Sequence, residues 1–205
     1  MKKKLTLSTI VFIVISMNSF AQKANDSGAW LNLQVNKGWE KAYAMARFEH
    51  RSNNNFGSTE CMFVMAGGGY KFTPWLKADL SYEHWKINPD ITQNKLVLST
   101  IGTLSRSGLS AQIREKLEYT FESSGKAAWN LRSRIRVQYA FENSIFRPYI
   151  MSEVFNWNVW RRTLHYAGVE LYVSKHSIFD VFYMYHLPNG GPAVHTLGLG
   201  YYLNL

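Results

Sequence analysis

The chain has 205 residues, enough for one domain with a substantial buried surface, and its single cysteine, Cys61, excludes an intramolecular disulfide. The formal net charge is +9, but Arg and Glu alternate at every second position, which points to internal pairing and argues against a nucleic-acid partner. Beyond the first residues no stretch approaches the ~20 apolar residues of a membrane-spanning helix, so any span must be a closed β-barrel.

Met1-Lys2-Lys3-Lys4, the apolar run Leu5 to Ile15 and the small-x-small site Ser19-Phe20-Ala21 read as an export signal cleaved after Ala21. Its removal takes three lysines, leaving 20 of the 23 basic residues against 14 acids. The expected organisation is a signal peptide at 1–21, an N-terminal leading segment at 22–40 and a barrel at 41–205. Within the leading segment, Ala29 to Val35 alternates Trp30, Asn32 and Gln34 with Leu31, Leu33 and Val35, a short strand.

Lys41 to Arg51 sets Ala42, Ala44, Ala46 and Phe48 against Arg47, Glu49 and Arg51. Thr59 to Phe72 is a long strand containing Gly67-Gly68-Gly69, where a barrel wall bends or backbones approach closely. No Lys-Ser/Thr follows these glycines, so they are not a phosphate loop. After Thr73-Pro74, Leu76, Ala78, Leu80 and Tyr82 alternate with Lys77, Asp79, Ser81 and Glu83. Leu96 to Leu104 ends at the turn Arg106-Ser107-Gly108.

The strongest alternation runs from Leu109 to Phe141. Ser110, Gln112, Arg114, Lys116, Glu118, Thr120 and Glu122 make one polar row, and Asn130, Arg132, Arg134, Arg136 and Gln138 a second. Ser123-Ser124-Gly125 between them makes this a hairpin. Glu115 falls on the apolar face in mid-strand, which suggests a bulge or a register shift there. Arg147 to Asn156 carries Arg147, Tyr149, Met151 and Glu153 on one parity, with Pro148 at a strand start or bulge. Two further strands follow, Leu164 to Val173 with Glu170 on its polar side and Phe179 to His186 with Asp180. The last strand has Leu197, Leu199, Tyr201, Leu203 and Leu205 on one face and Thr196, Gly198, Gly200 and Asn204 on the other. It resembles the C-terminal strand by which barrel-assembly machinery recognises outer-membrane proteins, the expected protein partner.

A soluble barrel would turn its apolar face inward. The reverse is expected here because large rings cluster near strand ends, among them Trp129, Phe141, Phe179 and Tyr185, and because tight turns alternate with longer loops. Trp75 and Trp85 bracket another strand, on its polar parity. The fold class is thus all-β, an antiparallel transmembrane barrel facing outer-membrane lipid. Ten strands are expected, at about 41–51, 58–72, 75–86, 94–104, 109–122, 127–141, 147–156, 162–173, 177–186 and 194–205, with twelve as the alternative. The Trp30 segment is then extra, capping the mouth, lying in the lumen or pairing at the seam. The polar parity places Arg47, Glu49, Arg51, Asp79, Glu83, Arg114, Lys116, Glu118, Arg132, Arg134, Arg136, Arg147, Glu153 and Glu170 in the lumen, together with Lys77, Glu122, Arg162 and Asp180. Bidentate arginine–carboxylate pairing would hold such a lattice closed, and a slight excess of cations would give a narrow pore a weak anion preference.

Glu49-His50-Arg51, Arg132-Ser133-Arg134-Ile135-Arg136, the Arg-x-Tyr-x-x-x-Glu-x-Phe stretch from Arg147 to Phe155 and the Gly-x-Gly-Tyr-x-Leu finish resemble the outer-membrane family catalogued as domain of unknown function family 2490. The 162–168 segment lacks the Asn-Arg pair expected there. The resemblance covers nearly the whole mature chain. It implies a barrel in the outer membrane of a Gram-negative bacterium, with no known substrate or catalytic residue. No cofactor and no metal are expected, since His165, His176 and His195 show no ligand spacing. Barrel hydrolases need an Asp–His set or a Ser/His dyad. His50 with Ser52 is the nearest local candidate, so a non-enzymatic structural or binding barrel, or a narrow pore, is the leading expectation. A binding role places the partner contact on the 187–192 loop.

Overall fold

The computed structural model of the chain describes residues 26–87, 91–155, 162–187 and 193–205. The expected export signal and most of the 187–192 loop lie outside the described residues. Eleven strands follow in chain order: β1 (Asp26–Trp39), β2 (Ala42–Asn53), β3 (Ser58–Lys71), β4 (Leu76–Ile87), β5 (Ile91–Arg106), β6 (Leu109–Glu122), β7 (Ala127–Tyr139), β8 (Phe146–Phe155), β9 (Thr163–Tyr172), β10 (Ser177–Leu187) and β11 (Val194–Asn204). Each pairs with its chain neighbour, and β1 closes the barrel against β11. Period-two alternation forces this form: one parity is charged, the other greasy, and only a closed wall gives each its own side.

Among the described residues the count is eleven, not ten. The Trp30 segment is no accessory. It is a full wall strand, antiparallel to β2 from Trp30 opposite Arg51 to Trp39 opposite Ala42, and parallel to β11 from Asp26 beside Val194 to Asn36 beside Asn204. An odd number of up-and-down strands must leave one parallel pair, and the seam is where it falls. Across it Asn36 Nδ2 donates to Asn204 Oδ1 at 3.0 Å and Asn32 Nδ2 to the Tyr202 hydroxyl at 3.2 Å.

The connections divide the barrel into two ends. Residues 40–41, 72–75, 107–108, 140–145 and 173–176 and the C-terminus share a turn end; Asp26 and the remaining connections share a loop end. One of the two-residue hairpins turns at Ser107 and Gly108, both at positive φ (48° and 82°), as a primed turn demands. The rhythm of short and long connections is shallower than expected, since 140–145 at the turn end spans six residues.

Facing outward are Leu80, Leu98, Ile113, Ile135, Ile150, Val181, Leu197 and Leu199, all exposed. Glu115 shares this outer face without any bulge: the register passes unbroken from Thr100 through Glu115 to Ser133. Ser133 Oγ donates to Glu115 Oε2 at 2.7 Å, which is how the carboxylate is accommodated. Inside, three glycines meet an aromatic ring on the strand beside them: Tyr43 over Gly69, Tyr149 over Gly168 and Phe182 over Gly198. At each, a Cβ would lie under 3 Å from the ring, so the glycines make room for lumen-filling side chains.

Candidate functional site

The lumen is layered. Across its middle an ion-pair chain crosses four strands. Lys116 Nζ reaches Glu83 and Glu118 at 3.0 Å each; Arg132 bridges Glu118 and Glu153 at 2.8 Å each; Arg114 meets Glu153 at 2.6 Å. Three cations face three carboxylates, so the layer is neutral. Glu83, Glu118 and Glu153 are each only 2 % exposed. Such burial is tolerable because every carboxylate accepts charge-assisted hydrogen bonds.

Toward the loop end the lumen is filled by rings and cations. Tyr149, Phe155, Leu164, Tyr166, Phe182 and Met184 form one buried cluster, with Trp30 packed against it; Cys61, Phe63, Met65 and Trp85 form another, and Tyr149 and Met65 extend the two back to the turn-end half. Arg51 lies 3.8 Å from the Trp30 ring centre and 5.3 Å from that of Trp85, while pairing with Glu49 at 2.5 Å. Trp85 stacks on Phe63 at 4.1 Å, donates to Glu83 Oε2 at 2.8 Å and carries Lys95 at 4.1 Å. Phe155 receives Arg132 at 4.3 Å and Arg162 at 4.0 Å. Trp85 is therefore a lumen residue and takes no part in an outer girdle. This plug needs both partners: cation–π attraction holds the charges, and the rings displace the water that would otherwise solvate them.

Toward the turn end lies a cavity of about 520 Å³. Its wall carries eight cations, Lys37, Arg47, Lys71, Lys77, Arg114, Lys116, Arg134 and Arg136, against the acidic side chains Asp79, Glu83 and Glu170. Arg136 pairs with Glu170 at 2.7 Å, and Arg114 and Lys116 belong to the ion-pair chain. Arg47 and Arg134 are held differently. Arg47 Nε donates to Gln34 Oε1 at 2.8 Å, and Arg134 Nη2 to Gln112 Oε1 at 2.6 Å. Asp79 accepts from the Tyr43 hydroxyl at 3.1 Å. A second cavity, of about 110 Å³, lies at the loop end beside Arg51, Arg162 and His186 and shares no lining residue with the first.

The structure places Arg47, Glu49, Arg51, Asp79, Glu83, Arg114, Lys116, Glu118, Arg132, Arg134, Arg136, Arg147, Glu153 and Glu170 on inward parities, but not in one site. Eight of them line the larger cavity, and Glu118, Arg132 and Glu153 belong to the layer above it. Arg147 stacks on Tyr172 at 3.5 Å and Arg51 belongs to the plug. Charge alone does not find Gln34, Gln112 and Tyr43. Their signal is polar parity, and Gln34 belongs to the segment whose place the sequence leaves open between mouth, lumen and seam; the structure puts it at the seam.

A family model described as "Protein of unknown function (DUF2490)" matches residues 27–193. The chain belongs to the DUF2490 family. Among solved structures, this DUF2490 barrel is similar to one described as "NanC porin structure in rhombohedral crystal form", with a TM-score of 0.52 at 14% identity, covering 79% of this chain and 87% of that one. At that identity the likeness concerns the barrel fold. No curated protein matches the chain.

The local dyad does not form. His50 Nε2 meets Thr59 Oγ1 at 3.3 Å, and Ser52 Oγ accepts from the Ala29 amide at 3.0 Å. A different pair does: Ser152 Oγ lies 2.8 Å from His165 Nδ1 on facing strands. It is one of several outward contacts near the loop end, alongside His84 with Asn94 at 2.7 Å and Tyr183 with His195. No third group orients His165 among the described residues, and the surrounding backbone amides are committed to the strand ladder. The pair has neither the orienting group nor the oxyanion donors of a hydrolase.

Proposed function

We propose that this protein is an exported outer-membrane barrel that holds a small solute in a blind, cation-rich vestibule and does not conduct freely. One observation carries the reading: the lumen changes from a solvent-sized cavity to a filled layer of ion pairs and stacked rings before it reaches the loop end. The inverted polarity, greasy outside and ionic inside, supports lipid as the surroundings. So does the spacing of aromatic rings on β7. Trp129 and Tyr139 lie ten positions apart, ~33 Å along the strand. At a tilt of 35–45° this spans roughly the 25 Å apolar band of such barrels. Under this reading the turn end faces the periplasm and β11 is presented to the assembly machinery.

Planar-bilayer recording of the refolded chain tests it. The unmodified protein is expected to show no steady conductance. Arg51→Ala combined with Trp85→Ala is expected to open stepwise, anion-preferring currents, and adding Arg134→Ala to weaken that preference. Large steady steps from the unmodified protein would overturn the vestibule reading in favour of an open pore.

A further inference from the structure

Four lumen arginines are neutralised by carboxylates: Arg51 by Glu49, Arg114 by Glu153, Arg132 by Glu118 and Glu153, Arg136 by Glu170. Arg147 and Arg162 lie against the rings of Tyr172 and Phe155. Arg47 and Arg134 are held in a third way, the same for both. Each is gripped by the carbonyl oxygen of a glutamine on the adjacent strand, Gln34 on β1 and Gln112 on β6. Among the described residues neither has a carboxylate within ion-pair distance. An amide oxygen fixes a guanidinium's position without cancelling its charge, and it leaves the remaining N–H groups to point elsewhere.

Both arginines line the larger cavity, from opposite walls: β2 and β7 are separated by four strands along the shorter way round the closed sheet. Lys77 adds an ammonium from β4, stacked on Tyr43 at 5.3 Å. Arg47, Arg134 and Lys77, none of them in an ion pair, thus converge on one cavity of about 520 Å³, within the range of small-molecule sites, with Lys37 and Lys71 also on its wall. Positive charge held in a narrow, low-dielectric chamber is costly until a counter-charge arrives. Two forked guanidiniums suit the paired oxygens of a carboxylate or phosphate.

We propose that Arg47, Arg134 and Lys77 form a binding site for a small oxyanion, a phosphate or a di-carboxylate, with Gln34 and Gln112 as positioning residues. This rests on the vestibule reading for how the anion arrives. The binding itself depends only on the folded lumen. The test keeps every cation and alters the glutamines: Gln34→Glu with Gln112→Glu supplies the missing carboxylates and neutralises the site from within. Refolded protein in micelles is titrated by calorimetry with inorganic phosphate and with succinate, at constant ionic strength set by chloride.

Saturable binding of either anion by the unmodified protein, weakened at least tenfold in the double variant, is expected. The double variant should keep its heat-modifiable gel mobility, the mark of a folded barrel. Gln34→Leu with Gln112→Leu, which frees the arginines to move but keeps their charge, should weaken binding less than the Glu pair. The inference is overturned if neither anion binds beyond the chloride control, or if the Glu pair binds as tightly as the unmodified chain. Because the titration is done in micelles, a conducting pore in bilayers would sink the vestibule reading and leave this result standing.

Discussion

Glu153 accepts hydrogen bonds from two guanidiniums at once, Arg114 and Arg132, each through a different carboxylate oxygen. Removing it strands the Arg114 guanidinium and leaves Arg132 with Glu118 alone. Glu153→Ala is therefore expected to cost about 3–5 kcal/mol, read as a lowered urea midpoint for unfolding from lipid vesicles. Glu115 is the opposite case. It lies on the outer face between Thr100 and Ser133, with Ser133 as a hydrogen-bond donor. In lipid a mid-strand carboxylate is a liability, so Glu115→Leu is expected to raise the same midpoint by roughly 1 kcal/mol. A fall would place Glu115 against something other than acyl chains. The direction each of these side chains faces was legible from residue parity alone. What parity did not reveal was the accommodation of Glu115, because Ser133 is a neighbour only once β6 and β7 are in register.

At the level of the strand, glycine placement separates two kinds of wall position. Gly198 lies beneath the Phe182 ring, where a Cβ would come within 2.0 Å of ring atoms, whereas a Cβ on Gly102 would meet nothing within 4 Å. Gly198→Ala is expected to destabilise by about 1–3 kcal/mol through overpacking. Gly102→Ala should leave stability unchanged or higher, since it trims the freedom of the unfolded chain. Thermal unfolding of the two variants side by side checks the contrast. The seam makes a sharper claim. With Cys61→Ser as background, Asn36→Cys paired with Asn204→Cys should form a disulfide in the folded barrel, because these positions are direct partners across β1 and β11. Asn32→Cys with Asn204→Cys, four positions out of register, should not. Gel mobility with and without reductant distinguishes them. The alternation of Trp30 to Val35 was readable as a strand, but its partners were not. Its hydrogen bonds run to the far end of the chain, and hairpin logic, which joins neighbours through turns, has no term for a parallel closure. That one omission produced a count of ten and left the place of Gln34 open between mouth, lumen and seam.

For the whole molecule, an inside-out distribution of polarity does most of the specifying. Ionic rows and greasy rows alternate along one chain, and closure alone reconciles them. Composition could establish an ionic interior but not its stratification into vestibule, neutral layer and plug. That division depends on which arginines meet glutamate, which meet glutamine and which meet a ring, and it emerges only from pairing across strands. The parallel closure also fixes where the chain starts and stops. In a barrel with an even count both termini emerge on the same side, whereas here Asp26 sits level with Val194 at one rim and Asn204 level with Asn36 at the other. If the turn-bearing rim faces the periplasm, a peptide tag spliced just ahead of Asp26 will be displayed on the surface of intact cells and bind antibody there. The same tag after Leu205 will stay hidden until the envelope is breached.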